Sequence, residues 1–424
     1  MAHAEVSRTM LEMSTLIGAD RIRRPRGLEA FVAETIVEPQ SVAELTDLVR
    51  KCETDRITTA PIGACRTLSV IRPRPVEIGV SLCRLARIEA YDSADMTVAV
   101  GAGETLEALN AQLLRNRQHL PFDPPFPEKT TIGSLIGAAH TGPRRLRDGL
   151  VRDLIIGIEF VGHRGRVLHG GGRVVKNVAG YDLMRLLTGS FGTLGIVTQA
   201  AFKVLPLPPR ETLATASFDS FAEAWAAAKT LNDLISVAHL EVLSPGCELF
   251  AERRGFVAVA GFSGNQVEDE HYRRKILEAF GARLSFLEGD EAGSQYAAIR
   301  DFEVQSAHFV AQLSVPPGLL ENCIEKVAQL RSVEFVAYAG SGVVKIFVGG
   351  GRDANELANV ARRMRAIART AHGHLRLKRA PRELTAAVAV FDEPNAPAFA
   401  LMRRLKQTFD PAGIFNPGCF VGGL

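Results

Sequence analysis

The sequence predicts an α+β protein of at least two domains, and three observations lead to this prediction. First, Thr130–Pro206 is rich in glycine, and its glycines stand where strand-like apolar runs give way to turns. Second, Leu205–Pro209 reads LPLPP, a stiff link typical of a boundary between folded units. Third, runs of period two alternate with runs of period 3.6 after this link. The 424 residues are enough for two or three domains with cores of their own.

Composition excludes several classes of protein. Charged residues make up 23% of the chain and the net charge is +3, with the basic residues scattered, so a nucleic-acid face is not expected. The chain has no apolar run of about 18 residues, and its start lacks the pattern of an export signal. Six cysteines without a CxxC pair indicate free thiols in a reducing compartment and no iron–sulfur cluster on this chain. We therefore expect a cytoplasmic protein that meets the inner face of the membrane only through partners.

The first part of the chain contains a helix and a turn that bear on function. After a polar lead-in with an arginine-rich knot at 21–26, expected to be exposed, Ser41 can cap a helix with Glu44 completing a capping box. A short strand then runs into the turn Gly63–Thr67, whose small residues let a ligand approach the main chain.

A second glycine pair resembles a dinucleotide fingerprint. Gly101 and Gly103 follow a strand and precede a helix, but Leu106 stands where the third glycine of GxGxxG belongs. The chain does not continue as alternating parallel βαβ units, so a nicotinamide-binding fold is not favoured.

The middle of the chain brings further turns. The proline-rich stretch Leu120–Pro125 cannot pair as a central strand and leads to the turn Thr131–Ser134. Asp182 can cap a helix that starts at Leu183. Glycine-rich turns with small polar residues suit a long, phosphate-bearing cofactor laid along main-chain amides.

The order of these segments resembles the FAD-binding domain of the vanillyl-alcohol oxidase type (the PCMH fold), and within it the FAD-binding subunit of bacterial glycolate oxidase. The resemblance covers about residues 35–206 and the last thirty. The segments that carry it are Pro124–Pro125, Thr131–Gly133, Thr141–Arg145, Val151–Asp153, Val175–Leu183, Gly189–Gly195 and Phe409–Gly418.

The resemblance implies a domain plan and non-covalently bound FAD. A lead-in at 1–35 precedes a PCMH-type FAD-binding domain of two α+β subdomains at 36–206. A smaller ferredoxin-like cap domain follows at 207–395, and the tail at 396–424 returns to the flavin domain. Some relatives attach the flavin covalently through a histidine in the turn that corresponds to Gly63–Thr67, and this turn contains no histidine. Cys65 is a possible attachment point, although a small cysteine in a turn more commonly has only a packing role. The residues expected to bind FAD are Gly63, Ala64, Cys65, Arg66, Thr67, Thr131, Ile132, Gly133, Ser134, Thr141, Gly142, Asp153, Asn177, Gly195, Ile196 and Val197.

Oxidation of a 2-hydroxy acid needs a cation for the carboxylate and a base for the hydroxyl proton. The candidates for the cation are Arg144 or Arg145, together with Arg379. The candidates for the base are His140 and His374. Arginines on the surface and satisfied histidines are the more common roles of such residues, so these assignments stay open. His372 and His374 share one face of a strand, but the sequence supplies no third ligand and no metal is expected.

The resemblance also implies partners. The expected function is FAD-dependent oxidation of a small 2-hydroxy acid such as glycolate or D-lactate. Electrons pass to an iron–sulfur subunit in a complex that includes a second flavin subunit. A stand-alone FAD oxidase that uses oxygen and a flavin-free structural subunit of the same complex are the alternatives. The altered turn Gly63–Thr67, where the family has more glycines, is the support for the last of these.

Overall fold

The computed structural model describes residues 13–71, 74–172, 180–247, 249, 255–302, 306–350 and 353–424. These residues form two compact units. The first comprises Met1–His140, Leu150–Pro206 and Glu393–Leu424, and the second Thr141–Gly149 and Leu207–Asp392. Helices and sheets are mixed in both units, which confirms the α+β prediction.

The first unit contains two main sheets. The smaller sheet has the order β1-β2-β4-β3, with β2 and β3 both parallel to β4. Its strands are β1 (Ile22–Arg23), β2 (Ala33–Val37), β3 (Thr59–Ile62) and β4 (Val76–Ser81). The larger sheet is antiparallel, with the order β5-β6-β10-β8-β9. Its strands are β5 (Ile88–Asp92), β6 (Thr97–Gly101), β8 (Ile155–Gly162), β9 (Arg166–Gly171) and β10 (Ile196–Lys203). A two-stranded sheet joins β7 (Gln118–His119) to β11 (Leu205–Pro206).

Helices of the first unit pack on these sheets. They are α1 (Val42–Asp55), α2 (Leu68–Ile71), α3 (Leu106–Leu113), α4 (Ile132–Gly137), α6 (Val151–Leu154), α7 (Leu183–Leu187) and α14 (Ala396–Phe409). Ser41 caps α1 as predicted, with its Oγ accepting from the Glu44 amide at 3.1 Å. The Glu44 carboxylate instead accepts from the Gln40 amide and from Arg21, so the capping box is incomplete. Asp182 caps α7 as predicted, since its Oδ1 accepts from the Arg185 amide at 3.0 Å.

The pair Gly101 and Gly103 has a packing role. A Cβ at Gly101 would lie 2.0 Å from the Leu85 carbonyl oxygen, and one at Gly103 would lie 1.7 Å from that of Leu82. Since β6 pairs antiparallel with both of its neighbours, the sheet contains no βαβ unit at this position.

The second unit is a tandem repeat of the ferredoxin-like βαββαβ unit. Its antiparallel sheet has the order β15-β12-β14-β13-β17-β18-β16-β19. Within each half the strands follow the ferredoxin-like order, and the halves join through their second strands, β13 and β17. The strands are β12 (Arg210–Phe218), β13 (Val237–Leu243), β14 (Phe256–Gly264), β15 (Ser285–Glu288), β16 (Phe309–Ser314), β17 (Val333–Tyr338), β18 (Val343–Val348) and β19 (His374–Arg379).

The helices of the second unit follow the same repeat. They are α5 (Arg145–Asp148), α8 (Phe221–Leu234), α9 (Gln266–Phe280), α10 (Gly289–Asp301), α11 (Leu320–Ala328), α12 (Ala354–Thr370) and α13 (Arg382–Ala387). Each repeat contributes two of them between its strands, α8 and α9 in the first and α11 and α12 in the second. Helix α10 joins the two repeats and contributes Ile299 to a core that includes Val336, Tyr338 and Val343. The unit therefore contains two ferredoxin-like halves in one continuous sheet.

In the arginine knot of the lead-in, Arg24 and Arg26 are exposed as expected, but Arg21 and Arg23 are paired with carboxylates. Arg23 donates to both oxygens of Glu29 at 2.7 and 2.8 Å, and its Nε donates to Glu38 at 2.8 Å. The hydrogen bonds from Arg23 lower the pKa of Glu29 below its usual value, against an opposing effect of burial. The pairs fix the entry of the chain into the first sheet.

We expect the pairing of Glu29 with Arg23 to make the free energy of unfolding decrease at low pH. Because the pKa of Glu29 is depressed in the folded protein, its contribution is present above the unfolded pKa of about 4.3 and is lost as the pH falls through the folded pKa. A Glu29→Gln variant should lose about 1 kcal/mol of unfolding free energy at neutral pH. In urea titrations the difference from the parent should shrink towards pH 3; a difference independent of pH would contradict this account.

Candidate functional site

The turn Gly63–Thr67 leaves β3 with main-chain amides available. Within the described residues, the amides of Gly63, Ala64, Cys65 and Thr67 donate no hydrogen bond to the protein. Cys65 has φ 57°, a left-handed conformation that turns successive N–H groups towards a common side. Such a turn can bind an anionic ligand such as a diphosphate.

The turn Thr131–Ser134 lies directly against this first turn. A Cβ placed on Gly63 would lie 3.0 Å from Thr131 Oγ1 and 3.4 Å from Ser134 Cβ. Thr131 caps α4 by accepting from the Ser134 amide at 3.2 Å. The glycine at position 63 is thus what allows the two turns to approach.

In the second turn, the amides of Ile132, Gly133 and Ser134 already donate to protein acceptors, whereas the sequence led us to expect this turn to contact a cofactor. Ile132 N donates to the Glu104 carbonyl and Gly133 N to that of Ala102, both at 2.8 Å. These bonds tie the start of α4 to the loop before α3. The first turn is therefore the main source of free amides, and the second turn packs against it.

A cation also lies in the first turn. The guanidinium of Arg66 stacks 4.1 Å from the ring centroid of Phe126, within the range of a cation–π contact. A stacked guanidinium keeps its charge and its planar set of donors. Its position in a turn with free amides adds positive charge where a diphosphate would bind.

The glycine-rich loop 189–195 packs against the strand that leads to this turn. A Cβ at Gly192 would lie 2.3 Å from Cγ of Pro61, and φ is +69° there. Gly195, at φ +149°, approaches Phe160 and Val161 so closely that its Cβ would lie 2.9 Å from both. These contacts place the loop beside β3 and allow no larger side chain at either glycine.

The C-terminal tail closes on the same strand. The Thr59 amide donates to the Ile414 carbonyl at 2.8 Å, and the Asn416 amide donates to the Thr59 carbonyl at 2.6 Å. Lys406 Nζ donates to the carbonyls of Thr193 and Phe415, both at 2.8 Å. The tail thereby connects the glycine-rich loop to the edge of the first sheet.

Other residues expected to bind a cofactor have varied positions. Asp153 Oδ2 accepts from the Leu150 amide at 2.9 Å and so caps α6. Ile196 is fully buried in the core, and Val197 is paired with Phe160 in the sheet. These two residues could therefore contact a ligand through main-chain atoms. Thr141 and Gly142 belong to the second unit, and Asn177 lies outside the described residues.

Cys65 has the environment of a structural thiol. It is 5% exposed, packs with Val32, Ala60 and Ile62, and its Sγ donates to the Gly63 carbonyl at 3.4 Å. Burial raises the pKa of this thiol to about 12, so it is protonated at neutral pH. A protonated, buried thiol is a poor site for attaching a flavin.

We therefore expect any flavin on this protein to be released by acid. After acid precipitation of holoprotein, the flavin should appear in the supernatant and the pellet should be colourless. In the native protein Cys65 should react with a maleimide far more slowly than the exposed Cys83. Flavin that stays with the pellet and moves with a peptide containing Cys65 would contradict this assignment.

The four candidates for catalysis do not form a cluster within either unit. His140 is partly exposed at the end of α4, and His374 is exposed at the start of β19 in the other unit. Arg144 pairs with Glu211 at 2.7 Å and lies 4.4 Å from the Tyr296 ring, while Arg379 donates to the Ala307 carbonyl at 3.1 Å. Both arginines thus have structural contacts, and their catalytic roles stay predictions.

Sequence reasoning missed two groups on the sheet of the second unit. The first is a buried pair on β13, in which His239 Nδ1 lies 2.7 Å from Glu241 Oε2. The second consists of Lys345, Arg376 and Lys378, which we call the cationic cluster. The pattern LRLKR on β19 places Arg376 and Lys378 two residues apart, a spacing that could have revealed the cluster. Among the described residues, no group of three or more His, Cys, Asp or Glu side chains could hold a metal ion.

Comparison with known proteins agrees with this geometry. Residues 33–171 match the family described as FAD binding domain, and residues 387–419 match the C-terminal domain of FAD linked oxidases. The glycolate oxidase subunit GlcE of Escherichia coli (strain K12) is 29% identical over 77% of this chain and 83% of its own length. A D-lactate dehydrogenase of Archaeoglobus fulgidus is 27% identical over 94% of this chain and 93% of its own length.

Solved structures show the same fold. p-Cresol methylhydroxylase with bound substrate superimposes with a TM-score of 0.72 at 15% identity, covering 98% of this chain and 96% of that one. This protein is an FAD-linked oxidoreductase with a PCMH-type FAD-binding domain. Over most of its length its sequence is similar to that glycolate oxidase subunit and to that D-lactate dehydrogenase. In the part of the chain that the structure describes, no helix has the length and apolar character needed to span a membrane.

Proposed function

We propose that this protein oxidises a small 2-hydroxy acid, such as glycolate or D-lactate, with FAD held by the turn Gly63–Thr67. The observation that carries the proposal is the set of free amides in this turn. Thr131 and Ser134 lie directly against the turn, and the missing side chain of Gly63 allows this approach. The relatives named above supply the substrate class. A bound FAD would supply the acceptor for the hydride that leaves the carbon bearing the hydroxyl group.

The roles of this chain's own residues follow from their placement. The amides of the first turn and Arg66 bind the diphosphate, and Thr131 and Ser134 keep it from shifting towards α4. The glycine-rich loop and the tail hold β3, and therefore the turn, in position through Gly192, Asn416 and Lys406.

We further propose that electrons leave through partner subunits. The relative from Escherichia coli is described as a subunit, which supports an assembly for this chain as well. The six cysteines, with no CxxC pair, offer no cluster of their own for electron transfer. The partners in this proposal are an iron–sulfur subunit, which accepts the electrons, and a second flavin subunit, and any contact with the membrane comes through them.

Reduction of the flavin tests the proposal. Anaerobic addition of glycolate or D-lactate to the FAD-loaded protein should bleach the visible flavin absorbance, whereas acetate or propionate, which lack the hydroxyl group, should not. In air the reduced protein should form little peroxide and should reoxidise quickly with an artificial electron acceptor. Stoichiometric peroxide formation would favour an oxygen-using oxidase, and a flavin that no 2-hydroxy acid reduces would contradict the proposed substrate class.

A further inference from the structure

Two titratable side chains on β13, His239 and Glu241, form a buried pair that we call the dyad. His239 lies opposite Gly261 and Glu241 lies opposite Val259, so the two side chains project from the same face of the sheet. His239 Nδ1 lies 2.7 Å from Glu241 Oε2, and the exposed fractions of the two residues are 3% and 0%. An imidazole and a carboxylate are therefore held together away from water.

The contact with Glu241 determines which ring nitrogen of His239 carries the hydrogen. An ionised carboxylate only accepts hydrogen bonds, so Nδ1 donates to it and Nε2 keeps a lone pair. In the part of the chain that the structure describes, Nε2 has no hydrogen-bond partner. A Cβ at Gly261 would lie 1.8 Å from Nε2, so the missing side chain of Gly261 leaves room for this nitrogen. The dyad thus presents a basic nitrogen to a ligand.

The second oxygen of Glu241 is also without a partner. Oε1 is buried and accepts no hydrogen bond from the described residues. Buried polar atoms in folded proteins are nearly always hydrogen-bonded, so an atom without a partner calls for an explanation. A bound ligand that carries a hydroxyl donor provides one.

A cation lies close to the dyad. The ring centroid of Tyr296, on α10, lies 4.5 Å from that of His239, and the guanidinium of Arg144 lies 4.4 Å from the same tyrosine ring. Oxidation of a 2-hydroxy acid needs a base for the hydroxyl group and a cation for the carboxylate, which are on adjacent carbon atoms. Both kinds of side chain contact one ring within the second unit.

Several elements place titratable or charged groups around the dyad. Tyr296 comes from α10 and Arg144 from the segment that precedes α5, while Tyr338 of β17 lies directly opposite Glu241. Lys345 of β18 lies 5.6 Å from the Tyr338 ring. The residues of β14 that lie opposite the dyad are not titratable. Since Glu241 is in direct contact with the imidazole, it stabilises the imidazolium that forms when Nε2 takes up a proton.

We propose that His239 is the general base for the oxidation of the 2-hydroxy acid and that Glu241 is its positioning residue. The proton of the substrate hydroxyl passes to Nε2, the hydrogen on the same carbon leaves as a hydride to the bound FAD, and a 2-oxo acid remains. The proton then passes from Nε2 to water. This assignment rests on the function proposed above, and it gives His239 the role for which the sequence offered His140 and His374.

The limiting rate of anaerobic flavin reduction by glycolate or D-lactate tests the assignment. His239→Gln should lower this rate by about 10²- to 10⁴-fold, the usual contribution of a general base, with little change in the dependence on substrate concentration. In the parent the rate should rise with pH, because only the neutral imidazole accepts a proton, and His239→Gln should lack this rise. Glu241→Gln should also lower the rate, because its amide can donate to Nδ1 and favour the wrong tautomer.

The chain offers a matched control for the histidine variant. His271 is an exposed histidine on α9 of the same unit, and His271→Gln should keep the rate and the pH dependence of the parent. Dithionite should reduce the flavin of the parent and of all variants alike, which shows that the cofactor itself is intact.

A measurement on the unchanged protein does not depend on how the variants fold. In the FAD-loaded full chain with ¹⁵N-labelled histidine, the dyad should be recognisable by a far-downfield proton on Nδ1 of His239. Oxalate, which has no hydroxyl group to oxidise, should shift the Nε2 resonance of the same ring at a concentration that blocks reduction by the hydroxy acid. An Nε2 resonance that does not move would show that the substrate does not reach the dyad and would overturn the assignment.

The assignment and the proposed function can fail separately. If folded, FAD-loaded His239→Gln keeps the rate and pH dependence of the parent, the assignment is wrong and the proposed function stands. A lower melting temperature with an unchanged rate per bound flavin would show that the dyad is structural. If dithionite reduces the flavin of the parent but no 2-hydroxy acid does, the proposed function fails and the role of His239 fails with it.

Discussion

A Gly63→Val variant is expected to fold and to lose most of its affinity for FAD. The new Cβ would lie 3.0 Å from Thr131 Oγ1, and the two methyl groups of valine would force the turns Gly63–Thr67 and Thr131–Ser134 apart. Overpacking of this kind costs about 1–3 kcal/mol, which corresponds to roughly a 5- to 150-fold weaker complex when it falls on the binding turn. Titration of flavin-free protein with FAD, followed by flavin fluorescence, measures the change.

A second glycine provides the control for this variant. Gly293 lies in α10 of the second unit, and a Cβ placed there meets nothing within 4 Å. Gly293→Val should therefore bind FAD as the parent does. Circular dichroism should show that both variants are folded. If Gly63→Val binds FAD with the affinity of the parent, the turn at Gly63 is not the cofactor site.

Replacement of Lys406 by methionine is expected to destabilise the first unit by about 3–5 kcal/mol, the usual cost of breaking a buried ion pair. Lys406 Nζ lies 2.6 Å from Asp410 Oδ2, and the carboxylate also accepts from the amides of Ile414 and Phe415. Burial lowers the pKa of Lys406, against the opposing effect of Asp410. Without the ammonium group, the carboxylate and the carbonyls of Thr193 and Phe415 would lose their shared donor.

A surface pair of the same geometry supplies the comparison. Lys51 and Asp55 are also four residues apart on a helix and lie 2.7 Å from each other, but both side chains are about one third exposed. Lys51→Met should cost less than about 1 kcal/mol in urea unfolding. Changing Asp410 to asparagine in the Lys406→Met background should recover part of the loss, because no charge then remains buried. Equal effects of the two lysine variants would contradict the role given to Lys406.

Local chemistry made the turns and caps of the first unit predictable. Gly63, Ser41 and Asp182 act through contacts with residues close in sequence, or through the absence of a side chain, and these can be read from residue type alone. The proline and glycine residues of the tail likewise show where α14 stops. The contact between Gly63 and Thr131 is different. The two residues are 68 positions apart, so local sequence cannot predict it and only the resemblance to a known fold could.

The duplication in the second unit was missed for a physical reason. The strand β12 is buried on both faces, so the sequence ETLATASF shows no alternation of polar and apolar residues. The strand β15 is only four residues long, and α10 combines charged residues with alanine and glycine and has a weak apolar face. Without these elements, one sheet of two βαββαβ units reads as a single smaller domain.

The sequence did not reveal that several charged side chains are buried, because lysine and arginine are ordinarily exposed. Lys406 lies in an amphipathic helix where a lysine is ordinarily solvated, and the register of β19 against β16 shifts at Lys378. Charged side chains become informative when burial and register are known, and neither follows from a single sequence. His140 and His374 attracted notice because histidine is a common base, yet they belong to different units.

The flavin content of the purified protein tests the central claim most directly. The full chain, incubated with excess FAD and then desalted, should retain FAD in stoichiometric amount, show the visible absorbance of oxidised flavin and release FAD intact on acid precipitation. A protein that is folded by circular dichroism but retains no FAD under these conditions would contradict the assignment of the turn Gly63–Thr67 as a flavin site.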